Sequence, residues 1–293
     1  MSAPLTLGFV TPRHGRDVVG GAEAVMAEAA HGLAERGHPV EILTTCARDH
    51  ETWANAHEPG VSHDGELLVR RFRCVTDTPG RDRAHLGDRI LRGEAVSLAD
   101  QQRWVNDSLR VPDLWHHVLD NAHTYRALVF APYLFWTTYA VSQIDPSRSI
   151  VMPCLHDEPM ARLEIFAPVL ERSRGLWFLT EPEADLARSL RRLPARHEVV
   201  GAGIGIHDRH DPKRFVTEFG IDRPFLYYAG RREWGKGWLD LLAAFEQVAP
   251  GHPDNVVLVT SGAGDVDVPP SLRGRVVDVG FLSDTQRDNA MAA

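Results

Sequence analysis

The chain has 293 residues, 43% of them hydrophobic, enough to bury the cores of about two domains. Its 32 Lys and Arg against 40 Asp and Glu give a formal charge of −8, which speaks against a general nucleic-acid binder. Three widely spaced cysteines (Cys46, Cys74, Cys154) without a CxxC pair speak against structural zinc or a disulfide framework and fit a reducing compartment.

The N-terminal "MSAPLTLGFVTPRHG" lacks a charged segment followed by a long apolar run, so it is not read as a signal peptide. No stretch reaches the ~18 apolar residues of a membrane span, and a soluble, cytoplasmic protein is expected. "LTLGFVT" has the pattern of a buried strand. "GGAEAVMAEAAHGLAERG" reads as a helix with Val25, Met26, Ala29, Ala30 and Leu33 on one stripe and Gly37 as its C-terminal stop. "PVEILTT" follows as a strand, so the chain opens with a βαβ unit and hence a parallel sheet.

The run from Ala47 to Asp64 reads as an irregular loop, "ELLVRRFRC" as a strand, and Asp77 to Asp100 as charged and rich in breakers at first. Helices are expected over "DQQRWVNDSL", "DLWHHVLDNAHTY" and "EPEADLARSLRRL". Between them, "ALVFAPYLF", "SIVMPCLH" and "GLWFLT" are strand candidates. The glycine-, histidine- and charge-rich stretch around "GAGIGIHDRHDPKRF" reads as an interdomain linker. A second α/β series then runs through "PFLYYAG", a helix from about Lys236 to Val248, "NVVLVTSG", "RVVDVGFL" and the helix "SDTQRDNAMAA". The expected division is residues 1–200, a linker at 201–223, and 224–293.

Several positions suit a ligand. Gly20 and Gly21 open the first helix just after the first strand, where backbone N–H groups approach an anion, though a plain helix start reads the same way. GxGxxG and Walker patterns are absent, which disfavours nicotinamide, flavin and P-loop chemistry. Arg231 and Lys236 follow a parallel strand, the edge at which open α/β sheets bind ligands, and precede a helix whose dipole disfavours cations. A bound diphosphate would resolve that conflict; a solvated basic turn is the alternative. His156 also follows a strand, where it suits a sugar hydroxyl or a reacting centre, or packing alone. His207 to Asp211 and the DxD of Asp265 and Asp267 have no metal-site geometry behind them. His116, His117 and His123 read as surface or packing residues. Arg81, Arg83, Arg89 and Arg92 would suit anionic lipid, but Asp82 and Asp88 interrupt them, which leaves a solvated face with at most a weak peripheral membrane contact.

Together, "GFVTPRHGRDVVGGAEAV", "LVFAPYLF", "VMPCLHDEP", "VVGAGI" and above all "YYAGRREWGKGWLDLLAAF" resemble glycosyltransferase family 4, in that family's order. The resemblance implies a GT-B-like fold: two Rossmann-like parallel-sheet domains facing a cleft, with the second domain binding most of a nucleotide-sugar donor. It implies that Arg231 and Lys236 hold the diphosphate, that Gly21 approaches it from the other domain, and that His156 lies beside the donor sugar. It further implies retention of anomeric configuration, a hydroxyl acceptor in a sugar, glycan or glycolipid, and no metal or other cofactor. Glu23 matches the family without an assignable role. The linker reads Gly203-Ile204-Gly205 where the family has an aspartate. The family's E-x7-E segment would lie beyond "DTQRDNAMAA", so an incomplete second domain is expected. A non-catalytic nucleotide-sugar-binding module is the alternative, and a sugar-nucleotide epimerase a third reading.

Overall fold

The computed structural model describes residues 5–15, 18, 20–50, 52–75, 81–203 and 210–293. Ile204 and Gly205 of the linker element, His207 to Arg209 of the histidine-rich stretch, and residues 77–80 lie outside these. The chain divides into two compact units, Met1–Gly205 and Ile206–Ala293.

The first unit begins with the expected βαβ unit: β1 (Thr6–Val10), α1 (Gly21–Glu35) and β2 (Val40–Thr45), with the two strands parallel. Met26 and Ala30 are buried and Val25, Ala29 and Leu33 pack beside them, against Phe9, Ile42 and Val69. That is the stripe that helical spacing demands. The helix stops because Gly37, at φ 81°, donates to Ala34 O while His38 donates to Leu33 O, a Schellman pair of bonds.

The remaining strands are β3 (Gly60–Asp64), β4 (Leu67–Phe72), β5 (Tyr125–Phe130), β6 (Ser149–Val151), β7 (Gly175–Phe178) and β8 (His197–Val199). They form one eight-stranded sheet in the order β3-β4-β2-β1-β5-β6-β7-β8. Among its described pairs β3–β4 alone is antiparallel. The face opposite α1 carries the larger core, with Trp104, Leu114, Val118, Trp136, Phe166 and Phe178. Helices α3 (Leu98–Asn106), α4 (Pro112–Asn121), α5 (Trp136–Val141), α6 (Ala167–Arg172) and α7 (Glu181–Leu190) each contribute to it.

Four segments differ from the sequence reading. The stretch taken as a loop to Asp64 ends in β3, a polar edge strand whose exposed residues hide the alternation. The breaker-rich segment before Asp100 contains α2 (Arg81–Leu91), with Leu86 and Ile90 buried one turn apart. The short strand β8 went unread. The stretch taken as linker holds α8 (Pro212–Glu218), which packs against α10 (Asp284–Ala292). Asp211 caps α8, and its own N–H donates to Asn289 Oδ1 at 2.6 Å.

The second unit has three parallel strands, β9 (Phe225–Ala229), β10 (Val257–Ser261) and β11 (Val276–Asp278), in the order β11-β10-β9. Helix α9 (Trp238–Val248) packs Trp238, Leu242 and Phe245 on one face; Phe215 of α8 and Ala290 of α10 lie on the other. Among the described residues no helix is long and apolar enough to cross a membrane.

One buried polar cluster ties the first sheet together. The Tyr125 hydroxyl donates to Glu41 Oε2 at 2.6 Å, Arg70 Nε donates to Glu41 Oε1 at 2.8 Å, and His117 Nε2 lies 3.0 Å from the same hydroxyl. Burial and the Glu41 charge push the Tyr125 pKa well above its ordinary value, so it stays a donor. Tyr125→Phe leaves a buried carboxylate oxygen short of its donor and is expected to destabilise the protein by about 1–3 kcal/mol. Urea denaturation checks this, and an unchanged midpoint would contradict the role assigned to the cluster.

Candidate functional site

The sheet reverses its direction of growth between β1 and β5, since the chain moves outward to β2 on one side and to β5, β6 and β7 on the other. In open α/β sheets such a reversal is where loops part at the carboxyl ends of the strands and ligands bind. The β1–α1 loop with Gly20 and Gly21, and the loop after β6 with His156, both belong to this edge.

Gly20 is extended, with φ −176°, so its backbone conformation does not require glycine. Its surroundings do. A Cβ on Gly20 would overlap Glu23 Oε2 and approach Arg13. Glu23 is buried and its Oε1 accepts from Arg13 Nε at 2.9 Å and from Arg13 Nη2 at 2.6 Å. Glu23, for which the sequence offered no role, thus clamps the β1–α1 loop onto the first turn of α1. Arg13 was missed, its one signal being a cation directly after a buried strand. Gly21 differs from Gly20: a Cβ there would meet nothing within 4 Å. The start of α1 also has no side-chain cap, so its first N–H groups are left for another acceptor.

His156 is exposed, and its imidazole has no hydrogen-bond partner among the described residues. The backbone behind it is held firmly. Glu183, in the first turn of α7, accepts from Leu155 N at 2.8 Å and from Leu179 N at 2.7 Å, tying the loop after β6 to the end of β7. The adjacent Cys154 has φ 54°, an uncommon conformation for a residue with a side chain. Burial, with the charges of Glu183 and Glu23, pushes its thiol up to about 12, which removes it as a nucleophile. Cys154 packs in one cluster with Ala22, Val25 and Met26 of α1, which places the start of α1 close to the loop carrying His156. In the sequence Glu183 stands out only as a member of the expected helix "EPEADLARSLRRL".

In the second unit the three basic residues after β9 have different fates. Arg232 is a strut: its side chain is 4% exposed and donates to Gly262 O, Gly264 O and Thr260 Oγ1 while pairing with Asp278 at 3.3 Å. Arg232 N donates to Ala263 O at 2.8 Å, and a Cβ on Gly262 (φ 124°) would strike Gly230 O, so the β9 and β10 loops lie backbone to backbone. Arg231 and Lys236 remain at the surface. Arg231 pairs with Glu233 at 3.1 Å, an exposed contact of small energy, and Lys236 has no carboxylate partner among the described residues. The Tyr228 hydroxyl donates to Arg231 O at 2.7 Å and so fixes the loop that carries them. The helix expected from Lys236 begins instead at Trp238, after a 3-10 turn over Trp234–Lys236, and its N-terminal Gly237 (φ 69°) supplies no side-chain cap. Arg231, paired only with the exposed Glu233, and Lys236 therefore share the carboxyl edge of β9 with a helix N-terminus that has no side-chain cap. Asp265 and Asp267 are exposed in the loop after β10.

No protein-family model matches the chain, and no curated protein matches it significantly. Solved structures do. A sucrose-phosphate synthase from Thermosynechococcus elongatus matches at 15% identity over 98% of this chain and 73% of its own, with a TM-score of 0.62. WaaG, a glycosyltransferase involved in lipopolysaccharide biosynthesis, matches at 13% identity over 98% and 72%, with a TM-score of 0.59. An α,α-trehalose-phosphate synthase from Burkholderia xenovorans, in complex with glucose-6-phosphate, matches at 10% identity over 97% and 76%, with a TM-score of 0.63. The chain has the GT-B fold. Of the predicted site residues, Gly20, Gly21 and His156 lie on the first Rossmann-like unit of that fold and Arg231 and Lys236 on the second.

The contrast between the two glycines is testable. Gly20→Ala should disturb the Arg13–Glu23 pair and destabilise the protein by about 1–3 kcal/mol, whereas Gly21→Ala should shift stability by less than about 0.5 kcal/mol. Thermal and urea denaturation of both variants decide the matter. Equal effects would remove the assigned difference.

Proposed function

We propose that the protein is a family 4 glycosyltransferase that moves a hexosyl group, with retention, from a nucleoside diphosphate sugar to a hydroxyl acceptor. The observation that carries this reading is the arrangement after β9: Arg231 and Lys236, unneutralised except by the exposed Glu233, beside the uncapped N-terminus of α9. Cations at the positive end of a helix are unfavourable unless an anion joins them. A diphosphate supplies that anion and draws on charge-assisted bonds and the helix dipole together. In the reaction, negative charge grows on the leaving diphosphate as the anomeric carbon–oxygen bond breaks. Preorganised cations and N–H groups meet that charge in the transition state and lower the barrier. In this reading the leaving group needs no metal ion or other cofactor.

On the first unit the reading gives Gly21 the role of leaving the N–H groups at the start of α1 open to a donor phosphate, and gives His156, without a hydrogen-bond partner among the described residues, the role of meeting a donor sugar hydroxyl. Glu183 positions His156 through Leu155 N. The GT-B fold of the relatives, which include enzymes of sugar-phosphate and lipopolysaccharide synthesis, supports a sugar, glycan or glycolipid acceptor. We place the protein in the cytoplasm, with at most a weak peripheral membrane contact.

Calorimetric titration with nucleoside diphosphates and the corresponding free nucleosides tests the donor site. Arg231→Ala and Lys236→Ala should each weaken diphosphate binding by about 1.5–3 kcal/mol, roughly ten- to 150-fold, and leave nucleoside binding unchanged. Arg232→Ala should instead lower the melting temperature. Equal losses for both ligands would move Arg231 and Lys236 away from the phosphates. Tight donor binding without transfer across a panel of nucleotide sugars and acceptors would favour the non-catalytic binding module.

A further inference from the structure

A second polar site lies within the first unit, lined by residues other than those assigned above. His14 and Gly15 after β1, His57 before β3 and the β3–β4 hairpin (His63, Asp64, Val69 and Arg71) line an open cavity of about 200 Å³. This is below the ~300–1,000 Å³ usual for drug-sized ligands and suits a single sugar-sized group.

Arg71 sets the character of this cavity. The alternation of β4 turns Arg71 to the same face as Leu67 and Val69, which pack under α1. Its guanidinium donates to Ser62 Oγ at 2.9 Å and to His14 O at 2.9 Å, both neutral acceptors. Its Nε is buried with no hydrogen-bond partner, and among the described residues no carboxylate lies within ion-pair distance. A partly buried guanidinium held in place and left without a counter-ion is a receptor for an anion. The acidic group present, Asp64, is engaged elsewhere: its Oδ2 lies 3.1 Å from His14 Nε2 and 3.5 Å from His31 Nε2. Burial pushes the His14 pKa down, Asp64 opposes this, and the nearby Arg71 charge lowers it further. An arriving anion would counter the Arg71 effect and favour a charged His14, while Asp64 keeps lone pairs that accept from sugar hydroxyls.

We propose that this cavity binds a phosphorylated sugar, with the phosphate on Arg71 and the surrounding imidazoles and a hydroxyl on Asp64. That the bound molecule is the acceptor of glycosyl transfer rests on the function proposed above; the anion site itself does not.

The test is a titration of the full chain with inorganic phosphate, glucose 6-phosphate and glucose, followed by calorimetry and by the histidine side-chain NMR signals of the wild type. Phosphate and glucose 6-phosphate should bind and shift imidazole resonances, and glucose should bind at least tenfold more weakly than glucose 6-phosphate. Arg71→Met should weaken glucose 6-phosphate binding at least tenfold, and Arg71→Lys, which keeps the charge without the fork, should fall between. Nucleoside diphosphate binding should be unchanged in Arg71→Met and weaken roughly ten- to 150-fold in Arg231→Ala. Equal binding of glucose and glucose 6-phosphate, or unshifted imidazole signals in the wild type, would overturn the proposal whether or not Arg71→Met folds. Loss of diphosphate binding with an intact phosphate response would overturn the glycosyltransferase reading and leave the anion site standing.

Discussion

Parallel pairing is the constraint on which the structure depends. A strand that pairs in parallel with its neighbour must return through a crossover, so its carboxyl end hands the chain to a loop and then to a helix N-terminus. In both units this gathers loop backbones and uncapped N–H groups on one edge of the sheet. The places of the candidate residues follow from that geometry: Gly20 and Gly21 after β1, His156 after β6, and Arg231 and Lys236 after β9 all stand where the crossover rule delivers them.

Two glutamates hold the edge of the first sheet in shape, and they do so by the same device. Glu23 and Glu183 are each the third residue of their helix, where the dipole favours a carboxylate. Each is buried and turned back onto the loop before or beside its helix, Glu23 onto the Arg13 guanidinium and Glu183 onto two backbone N–H groups. Burying a charge is unfavourable unless its lone pairs are filled, and these partners fill them. The frame leaves the His156 side chain without a hydrogen-bond partner among the described residues, and open space beside Gly21.

The second unit divides its labour along one short stretch. Arg232 is consumed in bonding the β9 and β10 loops, and Tyr228 reaches up from the strand to hold the Arg231 carbonyl. Rigidity beneath the loop would limit the entropy lost if a ligand met Arg231 and Lys236, as the proposed donor site requires.

The sequence by itself determined the α/β class, the opening βαβ unit and the Gly37 stop, because the 3.6-residue stripe and the C-terminal glycine are local signals. It also picked out Arg231 and Lys236, since cations before a helix are anomalous without any knowledge of the fold. It could not reveal β3, whose exposed polar residues belong to a sheet edge, or α8, whose buried Phe215 needs the distant β10 and α10 to pack against. Nor could it separate Arg232 from Arg231, or Gly20 from Gly21. Those distinctions are made by Asp278, Gly262, Arg13 and Glu23, residues brought alongside by packing. The Arg71 cavity lies furthest from local reading. It exists because the register sets Val61 of β3 opposite Arg70 and so brings Ser62 to the Arg71 guanidinium, and because the loop after β1 brings His14 to Asp64. The His14–Asp64 contact joins residues 50 positions apart, and only the closed sheet decides it.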